Sequence, residues 1–247
     1  MGTLIEGFLG KSISGKKSRL PARLDFLQSA TGLFLGLFML LHMFFVATIL
    51  ISPAAMDKVT KFFEGSLIFN EPKPILVTFV GIIVFAIFFI HAILAMRKFP
   101  INYRQFQTYK THIKMIKHTD TTMWFYGQAL TGFIMFFLGS AHLAMVIFFP
   151  ETIGSGLTEL TANEGASATR MIRMFPLYLI LLFAVEIHGS IGLYRLCVKW
   201  GWFEGKDAKA SRKNLSRLKW GFSLFFLILG LATMVAYVQY GRILIHQ

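Results

Sequence analysis

The sequence predicts an all-α membrane protein in which five transmembrane helices cross the bilayer and four of them form one bundle. Two observations predict the membrane class. Of the 247 residues, 55% are hydrophobic and the mean hydropathy is +0.61; five apolar runs also reach the length of about 20 residues that a spanning helix needs. A third observation singles out the bundle, because four of the runs each hold one histidine in apolar surroundings.

The five runs cover residues 28–51, 75–96, 122–149, 172–198 and 220–240, within a single membrane domain over residues 1–247. Prolines stand at their ends, as expected of residues that interrupt helices: Pro53, Pro72, Pro74 and Pro150. The basic segment 206–219 is compatible with a helix, and we expect it on the surface, leading into the fifth span. The sequence shows no internal repeat strong enough to predict a repeated fold.

The charge and the cysteine count exclude several classes of protein. A formal charge of +13 in so apolar a chain indicates basic loops beside anionic lipid or a partner protein, and no nucleic acid is expected. The lone Cys197 excludes a disulfide framework, a cysteine-rich zinc site and an iron–sulfur cluster. Only a short apolar run precedes the N-terminal basic cluster, so we expect the first span, and no cleaved leader, to direct insertion.

The distribution of lysine and arginine predicts the orientation. The N-terminal arm and the second and fourth connections together carry 19 of the 25 basic residues, and the opposite side carries 6. Because positive charge accumulates on the cytoplasmic side, we predict a cytoplasmic N-terminus and an external C-terminus. An odd number of spans requires opposite termini, so the two predictions agree.

The four histidines fall into two groups by depth. At 1.5 Å per residue, His42 and His142 lie about 28 and 31 Å from the cytoplasmic ends of their spans, and His91 and His188 about 10 and 16 Å. We therefore predict an outer pair, His42 with His142, and an inner pair, His91 with His188.

Paired histidines in a membrane bundle predict noncovalent haem. An ionisable side chain inside the membrane is costly, so four of them favour a shared function. A haem iron takes two axial ligands, and imidazole suits it. The rival metals, zinc and copper, usually draw on larger clusters of His, Cys or carboxylate. Small residues such as Gly32 and Gly36 are typical of close helix packing, and Lys199 is placed to reach a propionate of the inner haem.

Two acidic residues are candidates for proton transfer. Glu64 follows the first span on the outer side, where the residues alone favour a surface loop residue over a proton acceptor. Glu186 lies inside the fourth span, about 200° around the helix from His188. A buried carboxylate there is a candidate proton relay, with a neutral hydrogen-bonded acid as the alternative.

Three stretches carry a resemblance that extends over roughly residues 16–237: KKSRLPARLDFLQSATGLFLGLFMLLHMFFV, HAILAMRKFPINYRQF and PLYLILLFAVEIHGSIGLYRLCVKWGWFEG. The chain resembles the dihaem cytochrome b subunits of epsilonproteobacterial quinol:fumarate reductases, in the succinate dehydrogenase/fumarate reductase superfamily. The resemblance implies that the inner pair binds the proximal haem b and the outer pair the distal one. It further implies that Gln28, Ser29, Trp124 and Lys199 surround the proximal haem.

The resemblance also implies a function in anaerobic respiration at the bacterial cytoplasmic (inner) membrane. Menaquinol would be oxidised near the outer side, with Glu64 accepting a proton and Glu186 serving a proton path. Electrons would pass to an iron–sulfur subunit and then to a flavoprotein subunit, both cytoplasmic, that reduces fumarate. A dimer of this three-subunit complex is left open. The outer loop, residues 152–169, departs from the family pattern.

Two kinds of alternative remain open from the sequence. The same scaffold could anchor a succinate:quinone reductase or serve as the cytochrome b of a hydrogenase or formate dehydrogenase. A different class, a transporter or channel lined by histidine, would also place histidines in membrane spans. Co-purified subunits separate the redox alternatives, and an optical spectrum separates a cytochrome from a transporter.

Overall fold

The computed structural model describes residues 19–69, 71–116, 120–148 and 164–245. In these residues all regular structure is helical. The helices are α1 (Leu20–Val46), which ends in a 3₁₀ turn (Ala47–Leu50), α2 (Pro53–Phe63), α3 (Ile75–Met96), α4 (Tyr103–Ile116), α5 (Asp120–Phe148), α6 (Glu164–Trp200) and α7 (Ala208–Ile245).

Five of these helices are long and apolar enough to cross a membrane, as the sequence predicted. The spanning parts are Leu20–Leu50, Ile75–Met96, Gly127–Phe148, Met174–Trp200 and Ala208–Tyr240. Their large exposed side chains are mostly phenylalanine, leucine and isoleucine, the surface expected of a protein that meets lipid rather than water.

Four helices form a closed ring. α1 packs on α3, α3 on α5, α5 on α6, and α6 returns to α1. Each of these four helices carries one of the four histidines. α1 and α5 therefore face each other across the ring, as do α3 and α6, and α7 packs outside the ring against α6.

Three of the helices extend beyond the apolar runs that the sequence predicted as spans. α1 begins at Leu20 rather than near residue 28, with a proline in its first turn, where the missing N–H costs nothing. α6 likewise begins at Glu164. α7 begins at Ala208, so most of the basic segment 206–219 is the first part of the fifth long helix. Hydropathy marks the lipid-facing length, whereas backbone hydrogen bonding continues through the polar ends.

The connection after α1 is itself structured. Ser52 caps α2 by accepting a hydrogen bond from the backbone N–H of Ala55 at 3.1 Å. α2 ends at Phe63 with Glu64 as its C-cap residue, and Gly65, with φ of 81°, turns the chain toward α3. The sequence suggested a loop at Glu64, but its side chain is only 8% exposed. α2 packs against the 3₁₀ turn and α1, which places Glu64 at the His42 end of the ring.

Packing of α7 on the ring depends on one glycine. A methyl group at Gly230 would lie 2.5 Å from Leu182 Cδ1 and 2.8 Å from Met43 Cε. Met43, Leu182 and Phe226 form a buried cluster at this crossing. Helix α7, the fifth span, is therefore held by close packing to α1 and α6. It contributes none of the four histidines.

Candidate functional site

The structure brings the four histidines together in two pairs. The ring centres of His91 and His188 lie 6.5 Å apart, with planes at 84°. Those of His42 and His142 lie 6.4 Å apart, with planes at 56°. Each pair joins helices that face each other across the ring. The two pairs have the composition predicted from depth; their role as metal ligands stays a prediction.

The ring of His188 is held by helix α5. Its Nδ1 lies 2.9 Å from the backbone carbonyl oxygen of Gln128 and 3.5 Å from Oγ1 of Thr131. A carbonyl oxygen can only accept, so Nδ1 carries the proton and donates it. Nε2 then keeps its lone pair, which is the protonation state a metal ligand requires.

The ring of His91 is held in the same way by helix α1. Its Nδ1 lies 3.2 Å from Oγ1 of Thr31, whose own hydroxyl proton is donated to the backbone carbonyl oxygen of Leu27 at 2.8 Å, so that Oγ1 accepts from the ring. His91 is thus protonated on Nδ1, as His188 is. Both members of the inner pair offer Nε2 as the free nitrogen.

The outer pair has different supports. Nδ1 of His142 lies 3.2 Å from the hydroxyl of Tyr178 on α6, and the two rings meet edge to face. His42 stacks on Phe38, one turn earlier on α1, with ring centres 5.8 Å apart. In the outer pair, therefore, a phenol meets one imidazole at Nδ1 and a phenyl ring stacks on the face of the other.

A charged cluster lies beside the inner pair, where α1, α3 and α6 meet. The carboxylate of Asp25 lies 2.5 Å from Nζ of Lys98, 2.6 Å from Nζ of Lys199 and 3.5 Å from Arg97. Nζ of Lys199 also reaches Oγ of Ser29 at 3.1 Å. One carboxylate thus faces three cations, and Arg97, with a side chain only 7% exposed, is the most enclosed of them.

Two buried polar atoms at this end have no hydrogen-bond partner among the described residues. They are Oε1 of Gln28 and Nε of Arg97. Buried polar groups in proteins are nearly always paired, so such atoms call for an explanation. The amide of Gln28 can present either its oxygen or its nitrogen, because the two are assigned and not observed. Together with the excess of cations, they favour an anionic group at this end of the bundle.

Most of the other predicted site residues can be located. Gln28, Ser29 and Lys199 are adjacent at the end of the inner pair, as expected. Trp124 lies on α5, but its side chain is outside the described residues, as are those of the outer loop. Glu186 is 8% exposed on α6. Glu64 lies at the opposite end, beside the turn that follows α1.

Sequence reasoning missed several residues that surround the histidines. They are Asp25, Thr31, Arg97, Gln128, Thr131 and Tyr178. One signal was available for part of this set: glutamine, threonine, glycine and histidine recur at a constant spacing of 100 in α1 and α5. Within the described ranges, no three side chains of His, Cys, Asp or Glu converge as a zinc site would require.

Five spans around two histidine pairs define a multi-pass helical membrane protein. The model of the succinate dehydrogenase/fumarate reductase transmembrane subunit matches residues 102–230. The chain is 54% identical to the fumarate reductase cytochrome b subunit of Wolinella succinogenes over 97% of its length and 90% of that protein's. It is 52% identical to the same subunit of two Helicobacter pylori strains over 96% of its length and 89% of theirs. The chain therefore belongs to the fumarate reductase cytochrome b subunits of the succinate dehydrogenase/fumarate reductase family.

Proposed function

We propose that this membrane subunit oxidises menaquinol near the external side and delivers electrons to a cytoplasmic iron–sulfur subunit, which serves a flavoprotein that reduces fumarate. The observation that carries the proposal is the presence of two histidine pairs across one helical ring. The relatives' name, cytochrome b, denotes haem b. Two noncovalent haems, one per pair, supply one-electron transfer across the membrane when bound.

The residues of each pair fit a six-coordinate haem. Metal–nitrogen bonds of about 2 Å, with about 1 Å from each nitrogen to its ring centre, require ring centres about 6 Å apart. The separations of 6.4 and 6.5 Å agree with this requirement. We propose His91 and His188 as the ligands of the proximal iron, and His42 and His142 as those of the distal iron.

The charged cluster fits the carboxylates of the proximal haem. Three cations against one carboxylate leave two positive charges, enough for the two propionates of a haem. Lys199 is a cationic donor at this position, Ser29 links it to the backbone carbonyl of Asp25, Gln28 contributes an amide that can turn its nitrogen inward, and Arg97 adds a buried guanidinium. Charge-assisted hydrogen bonds of this kind are stronger than neutral ones, so the cluster would hold one edge of the macrocycle.

Two carboxylates are proposed for the proton chemistry. Oxidation of a quinol releases two protons together with two electrons, so a base must be near the hydroxyls. Glu64 is buried at the His42 end of the ring, where a quinol that donates to the distal haem would lie. Glu186 is buried within α6 and is proposed as a relay for protons inside the membrane.

The predicted orientation supports this direction of electron transfer. If the basic connections are cytoplasmic, the inner pair and the charged cluster face the iron–sulfur subunit, while Glu64 faces outward. The organisms of the relatives support the bacterial inner membrane as the location. The order quinol, outer pair, inner pair and cytoplasmic subunits then follows along one bundle.

The decisive experiment compares Glu64→Gln with wild type in the purified complex. We expect the variant to lose menaquinol oxidation while it still reduces fumarate with a reduced viologen dye, which supplies electrons to the soluble subunits directly. Glu71→Gln is the matched control, because Glu71 lies in the same connection but is exposed. Undiminished menaquinol turnover in Glu64→Gln would remove this carboxylate from the mechanism.

The same preparation tests the assignment as a whole. A dihaem subunit must give b-type Soret and α bands on reduction and two haems per polypeptide. A complex without these bands would exclude the cytochrome function and favour a transporter. Copurification with a nickel or molybdenum protein, in place of a flavoprotein, would assign the subunit to a hydrogenase or formate dehydrogenase.

A further inference from the structure

Helices α1 and α5 share a pattern that the general fold does not require. Gln28, Thr31, Gly32 and His42 in α1 recur as Gln128, Thr131, Gly132 and His142 in α5. The first three positions of each set form the motif QxxTG, and the outer-pair histidine follows the glycine by ten residues.

In both helices the motif supports an inner-pair histidine on the neighbouring helix. The motif of α1 meets His91 on α3, and that of α5 meets His188 on α6. The threonine hydroxyl faces Nδ1 in each case, and at His188 the glutamine carbonyl faces it as well. The same threonine contact is therefore built twice, once for each member of the inner pair.

The direction of the threonine hydroxyl is fixed by its own helix. Thr31 donates its proton to the carbonyl oxygen of Leu27 at 2.8 Å. Thr131 donates in the same way to the carbonyl of Gly127. With its single proton used, each Oγ1 can only accept from the imidazole. Carbonyl and hydroxyl oxygen thus both select the Nδ1–H tautomer.

The glycine of each motif lets the ring approach. A methyl group at Gly32 would lie 2.8 Å from Cε1 of His91, and one at Gly132 would lie 3.1 Å from Cε1 of His188. These contacts are too close for a larger residue unless the ring moves. The imidazole therefore lies directly on the helix backbone, and this brings Nδ1 within reach of the threonine.

We propose that Thr31 and Thr131 are equivalent positioning residues for the proximal haem, each orienting one axial histidine through Nδ1. The inference rests on the proposed dihaem function and assigns both threonines to the same haem. The outer pair has no such arrangement, because His142 meets Tyr178 and His42 stacks on Phe38. Loss of either threonine should consequently affect one haem and spare the other.

The test uses Thr31→Val and Thr131→Val, each in the complete complex, with redox titration and low-temperature electron paramagnetic resonance of both haems. An acceptor at Nδ1 makes the imidazole a stronger donor to iron and favours the ferric state. We therefore expect each variant to move the same midpoint potential to more positive values. Haem retention at that site should weaken by about tenfold, the usual effect of losing such a partner.

Two controls separate orientation from general packing. Thr233→Val removes the hydroxyl of a residue as buried as Thr131, one that donates to Leu229 of its own helix, and it should leave both potentials unchanged. Thr31→Ser and Thr131→Ser keep the oxygen and should retain wild-type potentials. If a valine variant does not assemble, the corresponding alanine variant provides the same comparison with a smaller side chain.

Several results would overturn the proposal. They are an unchanged potential in either valine or alanine variant, shifts of different haems in the two variants, or serine variants that behave like valine. Such results, with two haems present in the wild type, reject the threonine assignment alone. Absence of two b haems from the wild-type complex would reject the proposed function and this inference together.

Discussion

The imidazoles of His91 and His188 face each other across the helical ring with centres 6.5 Å apart, and each is hydrogen-bonded through Nδ1 to a helix of its own half of the chain. The contacts that pair the rings and the contacts that orient them are thus made by different helices. This separation allows ligand identity and ligand orientation to be tested independently.

Substitution of the histidines should reveal which of them share a haem. We expect His42→Ala and His142→Ala to lose the same haem, and His91→Ala and His188→Ala to lose the other, because each iron needs both members of its pair. Haem-to-protein ratios and reduced-minus-oxidised spectra of the four variants provide the measurement. Loss of one and the same haem from His42→Ala and His91→Ala would contradict the pairing.

Gly32→Ala should disturb the inner pair without changing any ligand. The added methyl would lie 2.8 Å from Cε1 of His91, so the ring or the helix must shift, at a typical cost of about 1–3 kcal/mol. We expect partial loss of one haem and a lower midpoint temperature of thermal unfolding. Gly221→Ala on α7 is the control, because a methyl there meets nothing within 4 Å. Equal effects of the two substitutions would show that the contact with His91 is unimportant.

Asp25→Asn should loosen the junction of α1, α3 and α6. The change leaves three cations without their carboxylate, one of them the enclosed Arg97. Since Asp25 is itself partly exposed, we expect a loss of about 1–2 kcal/mol in the free energy of unfolding of haem-depleted protein. Asp57→Asn, which removes the half-exposed pair with Lys61, should cost less than about 1 kcal/mol. A neutral effect of Asp25→Asn would mean that the cations repel one another little in this setting.

Tyr178→Phe should affect only the outer pair. It removes the hydroxyl that lies 3.2 Å from Nδ1 of His142 and keeps the ring that packs against the imidazole. We expect the potential of the distal haem to shift while that of the proximal haem stays constant. Tyr237→Phe is the matched variant, since its hydroxyl contacts the sulfur of Met56 and no histidine. A shift in the midpoint potential of the proximal haem would contradict the assignment of Tyr178 to the outer pair.

The sequence predicted the features that depend on composition and depth. Apolar runs identified five spans, and the rise per residue grouped His42 with His142 and His91 with His188. Basic residues at the ends of the runs supplied the reference for depth. These features depend only on position along the chain. An error of several residues in a predicted helix end therefore leaves the number of spans and the grouping of the histidines unchanged.

What the sequence did not predict depends on rotation about the helix axes. The apolar helices have weakly contrasting faces, so periodicity did not show that Thr31 faces His91 or that Tyr178 faces His142. Asp25 was missed because it lies before the apolar run, although α1 already begins at Leu20. The repeated QxxTG motif was the available signal, but four matching positions in a span of fifteen are visible only once their contacts are known.

The helical ring consists of two helical hairpins that pack against each other. The hairpin α1–α3 carries one outer and one inner histidine, His42 and His91, and the hairpin α5–α6 carries the other two. Neither hairpin alone holds both histidines of a pair. If the pairs bind haem as proposed, cofactor binding is thermodynamically coupled to association of the halves, because ligation free energy becomes assembly free energy when a site exists only in the folded state. Haem supply would then act as a checkpoint in biogenesis, and a subunit made without it would be marked by hairpins that separate readily.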